Sequence, residues 1–300
     1  MSREDCLTVL ASVLMLCTTS LSLAAAPAKT SSAKHTSSPQ LRSNSALILD
    51  ETNSAVLYAK QADHATPIAS ITKLMTALVV IEAGQSLDEE IEVTAEDRSS
   101  GKGAYSRLPV GAKLSRGDLL HLALMSSENR AAHALGRNYP GGLAACVRAM
   151  NAKAKSLNMN STHFVDPSGL SSENVASPFD LAKLVIAAAQ DRTIRDYSTD
   201  GSYVVQVGRQ LLEFRNTNSL VSNPTWDIIV QKTGYIAEAG RCLVLKTIIE
   251  GRAVVIVLLD SFGKYTRTAD ARRIRTWMES ALQASGPPAA PGPAAAVAGN

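Results

Sequence analysis

Ser70 and Lys73 sit in Pro67-Ile68-Ala69-Ser70-Ile71-Thr72-Lys73-Leu74-Met75-Thr76-Ala77-Leu78. The stretch opens with Pro and Ser and runs apolar at helical spacing through Leu74, Leu78 and Ile81 to Gly84, which reads as a helix start and stop. Ser70 is then expected at or just inside the helix N-terminus. Lys73 follows one turn later on the same face, so a hydroxyl lies beside an amine where backbone N–H groups are unpaired. That arrangement suits a serine nucleophile with a lysine as its base. The motif alone is weak. Ser-x-x-Lys occurs four times, at Ser31–Lys34, Ser70–Lys73, Ser99–Lys102 and Ser261–Lys264, and a chain of this composition holds such a pair by chance. Only the second opens an apolar helix.

Two further clusters carry polar groups in telling places. Leu119, Leu120, Leu122, Leu124 and Met125 describe a buried helix that breaks into Ser126-Ser127-Glu128-Asn129-Arg130 before Ala131-Ala132. A polar interruption between apolar helical stretches marks a loop or a cavity lining; a polar corner between helices reads equally well. Ser-x-Asn is itself common here, at Ser156–Asn158 and Ser172–Asn174 as well. Lys232-Thr233-Gly234 occurs once, at the end of the apolar Ile228-Ile229-Val230. Lys232 is expected to project from a buried strand, with Thr233 offering a hydroxyl and Gly234 admitting a ligand backbone. The bland alternative is a snorkelling lysine at a strand end.

The elements that must position these residues fall into blocks. Ala46–Asp50, Glu51–Ser54 and Ala55–Tyr58 read as a hairpin. Helical patterns follow over 115–137, with the polar interruption, and over 142–157. A third helix begins after Ser177-Pro178, an N-cap followed by Pro at the first helical position, and runs to about Gln190. Val204–Val207, Leu211–Phe214, Ile228–Lys232, Arg241–Glu250 and Ala253–Leu259 are Val/Ile/Leu-rich and read as strands. A last helix spans about 267–282. The hairpin is too small to stand alone. It is expected to join the late strands in one antiparallel sheet, with the last helix on its face and the helical block as a second lobe. The fold class is α+β.

The 300-residue chain has a formal net charge of +3 and no Lys/Arg block or aromatic-interleaved basic stripe, so nucleic acid is not indicated as a partner. Residues 1–24 read as a signal peptide. Arg3 comes first, an apolar run extends from Cys6 to Leu23, and Ser22-Leu23-Ala24 is a small-x-small cleavage site. An uncleaved anchor is the alternative; the bulky Leu16 before Cys17 argues against lipidation. Residues 25–44 read as a flexible linker, 45–284 as the catalytic domain, and 285–300 as a Pro/Ala/Gly low-complexity tail with no amphipathic anchor. Export removes Cys6 and Cys17 and leaves Cys146 and Cys242, whose pairing the sequence leaves open. The five histidines show no zinc-ligand spacing, and no metal or other cofactor is called for.

Taken in order, Ser70-x-x-Lys73, Ser127-x-Asn129 and Lys232-Thr233-Gly234 resemble the motif set of penicillin-binding proteins and class A β-lactamases, with Glu128 where that set has Asp. The resemblance extends from about Ser45 to Met278. It includes Leu124–Ala132, Phe164-Val165-Asp166-Pro167-Ser168-Gly169-Leu170, Phe214-Arg215-Asn216-Thr217-Asn218 and Phe262-Gly263-Lys264-Tyr265. It is closest to the low-molecular-mass penicillin-binding proteins that act as D-alanyl-D-alanine endopeptidases. The resemblance implies the penicillin-binding-protein/β-lactamase-like transpeptidase fold. It implies Ser70 as nucleophile, Lys73 as base, and Ser127 as the relay that passes a proton to the leaving amine. Asn129 is implied to hold the substrate amide and Lys73, and Lys232 and Thr233 to bind a carboxylate. Gly234 precedes Tyr235, whose N–H would complete an oxyanion hole with that of Ser70. The helix end and Lys232 are expected to lower the pKa of Lys73.

The implied substrate is the cross-linked stem peptide of peptidoglycan, cut at the D-alanyl-diaminopimelate bond in the periplasm, with β-lactams as covalent inhibitors. A class A β-lactamase is disfavoured because no Glu-x-x-Leu-Asn segment is present. A D,D-carboxypeptidase shares all three motifs and remains the alternative. A non-catalytic cell-wall binding protein of the same fold is the further one.

Overall fold

The computed structural model describes residues 38–98 and 105–285. The expected signal peptide, most of the linker, the tail from residue 286, and the Ser31–Lys34 and Ser99–Lys102 pairs lie outside the described residues. In chain order the strands are β1 (Ser43–Asp50), β2 (Ala55–Lys60), β3 (Thr66–Pro67), β4 (Glu90–Glu92), β5 (Lys113–Ser115), β6 (Val175–Ala176), β7 (Ser202–Val207), β8 (Gln210–Arg215), β9 (Asp227–Ile236), β10 (Gly240–Ile249) and β11 (Arg252–Ser261). The helices are α1 (Thr72–Glu82), α2 (Arg116–Met125), α3 (Asn129–Arg137), α4 (Gly142–Ser156), α5 (Pro178–Ala188), α6 (Arg192–Thr199) and α7 (Thr266–Ser285).

The early hairpin does join the late strands. The main sheet has the order β2-β1-β11-β10-β9, antiparallel throughout, so β1 pairs directly with β11. Its central strands are nearly continuous apolar runs because both faces are covered. On one face Ala46, Ile48, Leu243, Leu245, Ile256 and Leu258 pack with Ile274 and Met278 of α7. On the other, Leu47, Val244, Val255 and Val257 join the larger core that includes α1, α2 and α5. Alternate residues of one strand thus enter different cores, and burial on both sides removes the polar alternation of a half-exposed strand. Among the described residues no helix is long and apolar enough to cross a membrane.

β7 and β8 depart from the expectation of one sheet. They pair only with each other, because the flank of β9 is taken by α6, a helix the hydrophobic pattern does not announce. There the Gln231 amide nitrogen donates to the Ser198 carbonyl (2.6 Å) and to Asn216 Oδ1 (3.0 Å). The ribbon instead leans on the helical lobe, where the Tyr203 hydroxyl donates to Asp118 Oδ1 at 2.6 Å.

Local chemistry sets the helix ends of that lobe. Ser115 caps α2 by accepting from the Asp118 N–H, and Asp118 accepts from the Ser115 N–H in return. Ser177 caps α5 ahead of Pro178, as its sequence predicts. Between α2 and α3 the N–H groups of Ser126 and Glu128 both reach the Leu122 carbonyl, at 3.2 and 3.1 Å. Ser127 adopts a left-handed φ of 62°. This tight turn is the polar interruption seen in the sequence.

Candidate active site

Ser70 lies in a 3₁₀ turn, Ala69–Ile71, that leads into α1, two residues ahead of the helix proper. Ala69 carries a φ of 49°, a left-handed conformation that costs a residue with a Cβ on the order of 1–2 kcal/mol. Close packing holds it there. A Cβ on Gly169 would fall 2.0 Å from the Ala69 carbonyl oxygen, and one on Gly234 2.9 Å from that of Ile68 and 3.1 Å from Ser70 N. Thr72 Oγ1 donates to the Ala69 carbonyl at 2.8 Å. Gly234 therefore differs from its sequence reading. The space left by its missing side chain is filled by the serine turn itself, so β9 and the nucleophile approach backbone to backbone.

Lys73 is fully buried on α1 and its amine has three partners. It is 2.7 Å from Ser70 Oγ, 2.9 Å from Asn129 Oδ1 and 2.6 Å from the Ser168 carbonyl. Its pKa is lowered to about 7, chiefly by burial, while the carboxylates of Asp166 and Glu128 oppose the shift. Burial, rather than the helix end or Lys232, is thus the main cause. The two carbonyl acceptors fix two amine hydrogens. On the neutral amine the remaining lone pair faces Ser70 Oγ, placed to accept its proton.

The Ser168 carbonyl is held by a turn the sequence marked only by resemblance. Asp166 Oδ1 accepts from the N–H groups of Ser168 (2.6 Å) and Gly169 (2.7 Å) and from Ser168 Oγ, and Asp166 Oδ2 from the N–H of Ser171 (2.9 Å). Asn174 ties this loop to the nucleophile. Its Oδ1 accepts from Val165 N, its Nδ2 donates to Thr72 Oγ1, and its carbonyl receives the Ile68 N–H. Asp-Pro-Ser-Gly is a turn signal in its own right, but its service to Lys73 depends on contacts too distant in sequence to be read from it.

The third cluster meets the second. Lys232, also fully buried, donates to Ser127 Oγ at 2.8 Å and to the Thr233 carbonyl at 3.0 Å. Burial, with the nearby charges of Lys73 and Arg267, pushes its pKa well below the usual lysine value. Thr233 Oγ1 shares a hydrogen bond of 2.6 Å with Thr217 Oγ1, and the Thr217 N–H donates to the Met125 carbonyl (3.2 Å). Arg267 of α7 donates to the carbonyls of Gly234 (2.7 Å) and Cys242 (3.0 Å), anchoring the end of β9. Tyr235, next in line, is 53% exposed, with Arg241 stacked 4.5 Å over its ring.

A cavity of about 500 Å³ borders Ser127, lined by Tyr105, Arg107, Glu128, Glu213, Phe214 and Arg215 among others. All eight sequence-predicted site residues therefore lie in one neighbourhood. The Ser261–Lys264 pair does not form: Ser261 Oγ bonds Ser43 Oγ inside the sheet, and the Lys264 amine lies over the Tyr265 ring. Cys146 and Cys242 are free and buried, and burial raises their pKa values to about 12 and about 11. Among the described residues no group of His, Cys, Asp or Glu could hold a metal ion.

Comparison with known proteins places this geometry. Residues 32–263 match the family model described as D-alanyl-D-alanine carboxypeptidase. The chain is 48% identical over 257 residues to a D-alanyl-D-alanine endopeptidase of Escherichia coli, covering 85% of this chain and 83% of that protein. It is 47% identical to a D-alanyl-D-alanine endopeptidase of Pseudomonas aeruginosa, covering 84% and 82%. Among solved structures, the crystal structure of a Streptomyces DD-transpeptidase superposes with a TM-score of 0.74 at 26% identity, over 81% of this chain and 98% of that one.

Proposed function

The chain belongs to the D-alanyl-D-alanine carboxypeptidase family of serine peptidases, and on that premise we propose that it cuts the D-alanyl-diaminopimelate cross-links of peptidoglycan through an acyl-enzyme. The observation that carries this reading is the 2.7 Å contact between Ser70 Oγ and the buried amine of Lys73. The neutral amine takes the hydroxyl proton as Oγ attacks the D-Ala carbonyl. The developing oxyanion is received by the N–H groups of Ser70 and Tyr235, on the two backbones that Gly234 lets approach.

As the tetrahedral intermediate collapses, Ser127, whose Oγ accepts from Lys232 at 2.8 Å, gives its hydroxyl proton to the leaving amine and regains the one that Lys73 took from Ser70. The carbon bearing that amine in diaminopimelate also bears a carboxylate, which Lys232, Thr233 and Thr217 are placed to bind. Arrival of this anion favours the charged form of Lys232, offsetting the cost of its burial. Asn129 holds Lys73 and the substrate amide. Water then attacks the acyl-enzyme, with Lys73 again as base, and Ser70 is restored. A β-lactam acylates Ser70 by the same steps and blocks it. Export by the N-terminal segment would deliver the enzyme to the periplasm, where its polymer lies.

The test is mass spectrometry of the protein after incubation with penicillin. One adduct on Ser70, absent in Ser70→Ala, is expected; an adduct that persists in that variant overturns the assignment.

A further inference from the structure

Glu128 stands between Ser127 and Asn129, and its hydrogen bonds go to neither. It is 6% exposed, and a buried carboxylate must find donors. Besides the Arg130 N–H, it finds them in the segment Tyr105–Leu108. Glu128 Oε1 accepts from the Ser106 hydroxyl and Oε2 from the Arg107 N–H at 3.3 Å. The neighbouring Arg130 guanidinium donates to the Leu108 carbonyl. From the other side, Arg107 donates to the Glu213 carbonyl at 2.6 Å and lies 4.6 Å over the Phe214 ring. The same segment presents the Tyr105 carbonyl to Asn129 Nδ2 at 3.4 Å.

That last contact matters because an asparagine amide can face either way. With Oδ1 toward Lys73, the amide accepts an amine hydrogen and leaves the lone pair of the neutral amine to Ser70. Reversed, an Nδ2–H would donate to that lone pair and occupy the site that must take the serine proton. The Tyr105 carbonyl rewards the first orientation only. Resting on the acyl-enzyme reading above, we infer that Glu128 is a positioning residue for acylation: it latches Tyr105–Leu108 to the turn between α2 and α3, and so fixes which end of the Asn129 amide faces Lys73.

A second consequence is electrostatic. The groups acting on Lys73 are the carboxylates of Glu128 and Asp166, which favour its charged form, and the neighbouring Lys232. Removing the Glu128 charge while keeping its shape lowers the pH at which Lys73 loses its proton. That shift follows from the charge alone, so it separates the electrostatic action of Glu128 from its latch.

The experiment measures the second-order rate of labelling by a fluorescent penicillin against pH, together with the thermal midpoint and the ¹³Cε titration of Lys73. Misplacement of the amide predicts a loss of about tenfold to a hundredfold in Glu128→Ala, and a smaller loss in Ser106→Ala. Glu128→Gln, which retains one acceptor oxygen for Ser106, recovers most of the rate and moves the acidic limb and the Lys73 titration to lower pH. Labelling of Glu128→Ala at the parental rate overturns the inference, as does an unmoved Lys73 titration in Glu128→Gln. A loss shared by Ala and Gln that follows the thermal midpoint overturns it too. If the parent itself takes no label, the acyl-enzyme reading fails, while comparing the Lys73 titration of Glu128→Ala, where latch and charge are both lost, with that of Glu128→Gln, where only the charge is, still tests the latch: equal titrations overturn it.

Discussion

At the scale of single residues, the chemistry turns on one amine whose partners permit two protonation states. The Asn129 and Ser168 oxygens only accept, whereas Ser70 Oγ can either accept from an ammonium or donate to a neutral amine. With its pKa lowered to about 7, Lys73 is a base at neutral pH. The base must be unprotonated, so acylation should rise with pH through about 7 and fall about tenfold per unit below it. Stopped-flow acylation rates across pH check this. A limb near the ordinary lysine value, about 10.4, would mean that Lys73 is not the base. Lys73→Arg tests the same point by chemistry. Guanidinium keeps the charge but does not give up its proton in proteins, so acylation should fall by at least about 10³-fold, and burying the larger, permanently charged group should lower the thermal midpoint as well. Near-parental labelling of the Arg variant would transfer the role to another group.

Elements impose their own constraint, because the serine turn is clamped between the 166–174 loop and β9. The two clamping glycines predict different outcomes. Gly169 has a φ of 79° and no room for a Cβ beside the Ala69 carbonyl. Gly169→Ala should therefore destabilise the fold by roughly 2–4 kcal/mol, combining left-handed strain with overpacking, read as a lowered denaturant midpoint. Gly234 lacks the positive φ and crowds the serine turn less, at 2.9 and 3.1 Å. Gly234→Ala should push β9 from Ser70 and slow acylation by tens of fold with a smaller loss of stability; equal rates would show that the close approach is dispensable. These elements also show what the sequence could and could not disclose. The α1 helix, the break at 126–130 and the Ser177 cap are written in local pattern and turn chemistry, and each is found within a few residues of its expected place. The partner of a strand is not local, so β7 and β8 are legible as strands while their separate two-stranded sheet is not. The pattern of α6 is mostly polar, so no hydrophobic period marks it as a helix. Asp166, Asn174 and Thr217 act through hydrogen bonds across many residues of chain; only the resemblance marks the segments of Asp166 and Thr217, and nothing in the sequence marks Asn174 as part of the site.

The whole molecule brings the site together from three remote parts: the turn before α1, the α2–α3 turn of the helical lobe, and β9 of the main sheet. The Lys232–Ser127 contact at 2.8 Å spans lobe and sheet, and Thr217 reaches both through Met125 and Thr233. What enters between them decides endopeptidase against carboxypeptidase, since the same eight residues serve either. A carboxypeptidase releases only free D-Ala beyond the scissile bond. A cross-link cutter must house the second stem peptide, with its amine and carboxylate groups. The open groove beside Ser127 carries charges of both signs, on Arg107, Arg215, Glu128 and Glu213, that can meet the amine and carboxylate groups of that second stem. Purified dimeric muropeptide should accordingly be converted to monomers, with little D-Ala released from free pentapeptide under the same conditions. Chromatography of both digests measures the ratio. Arg215→Ala, which alters the cavity but none of the eight site residues, should slow dimer cleavage several-fold while penicillin labelling stays near parental. Rapid D-Ala release beside untouched dimers would reverse the assignment to a carboxypeptidase.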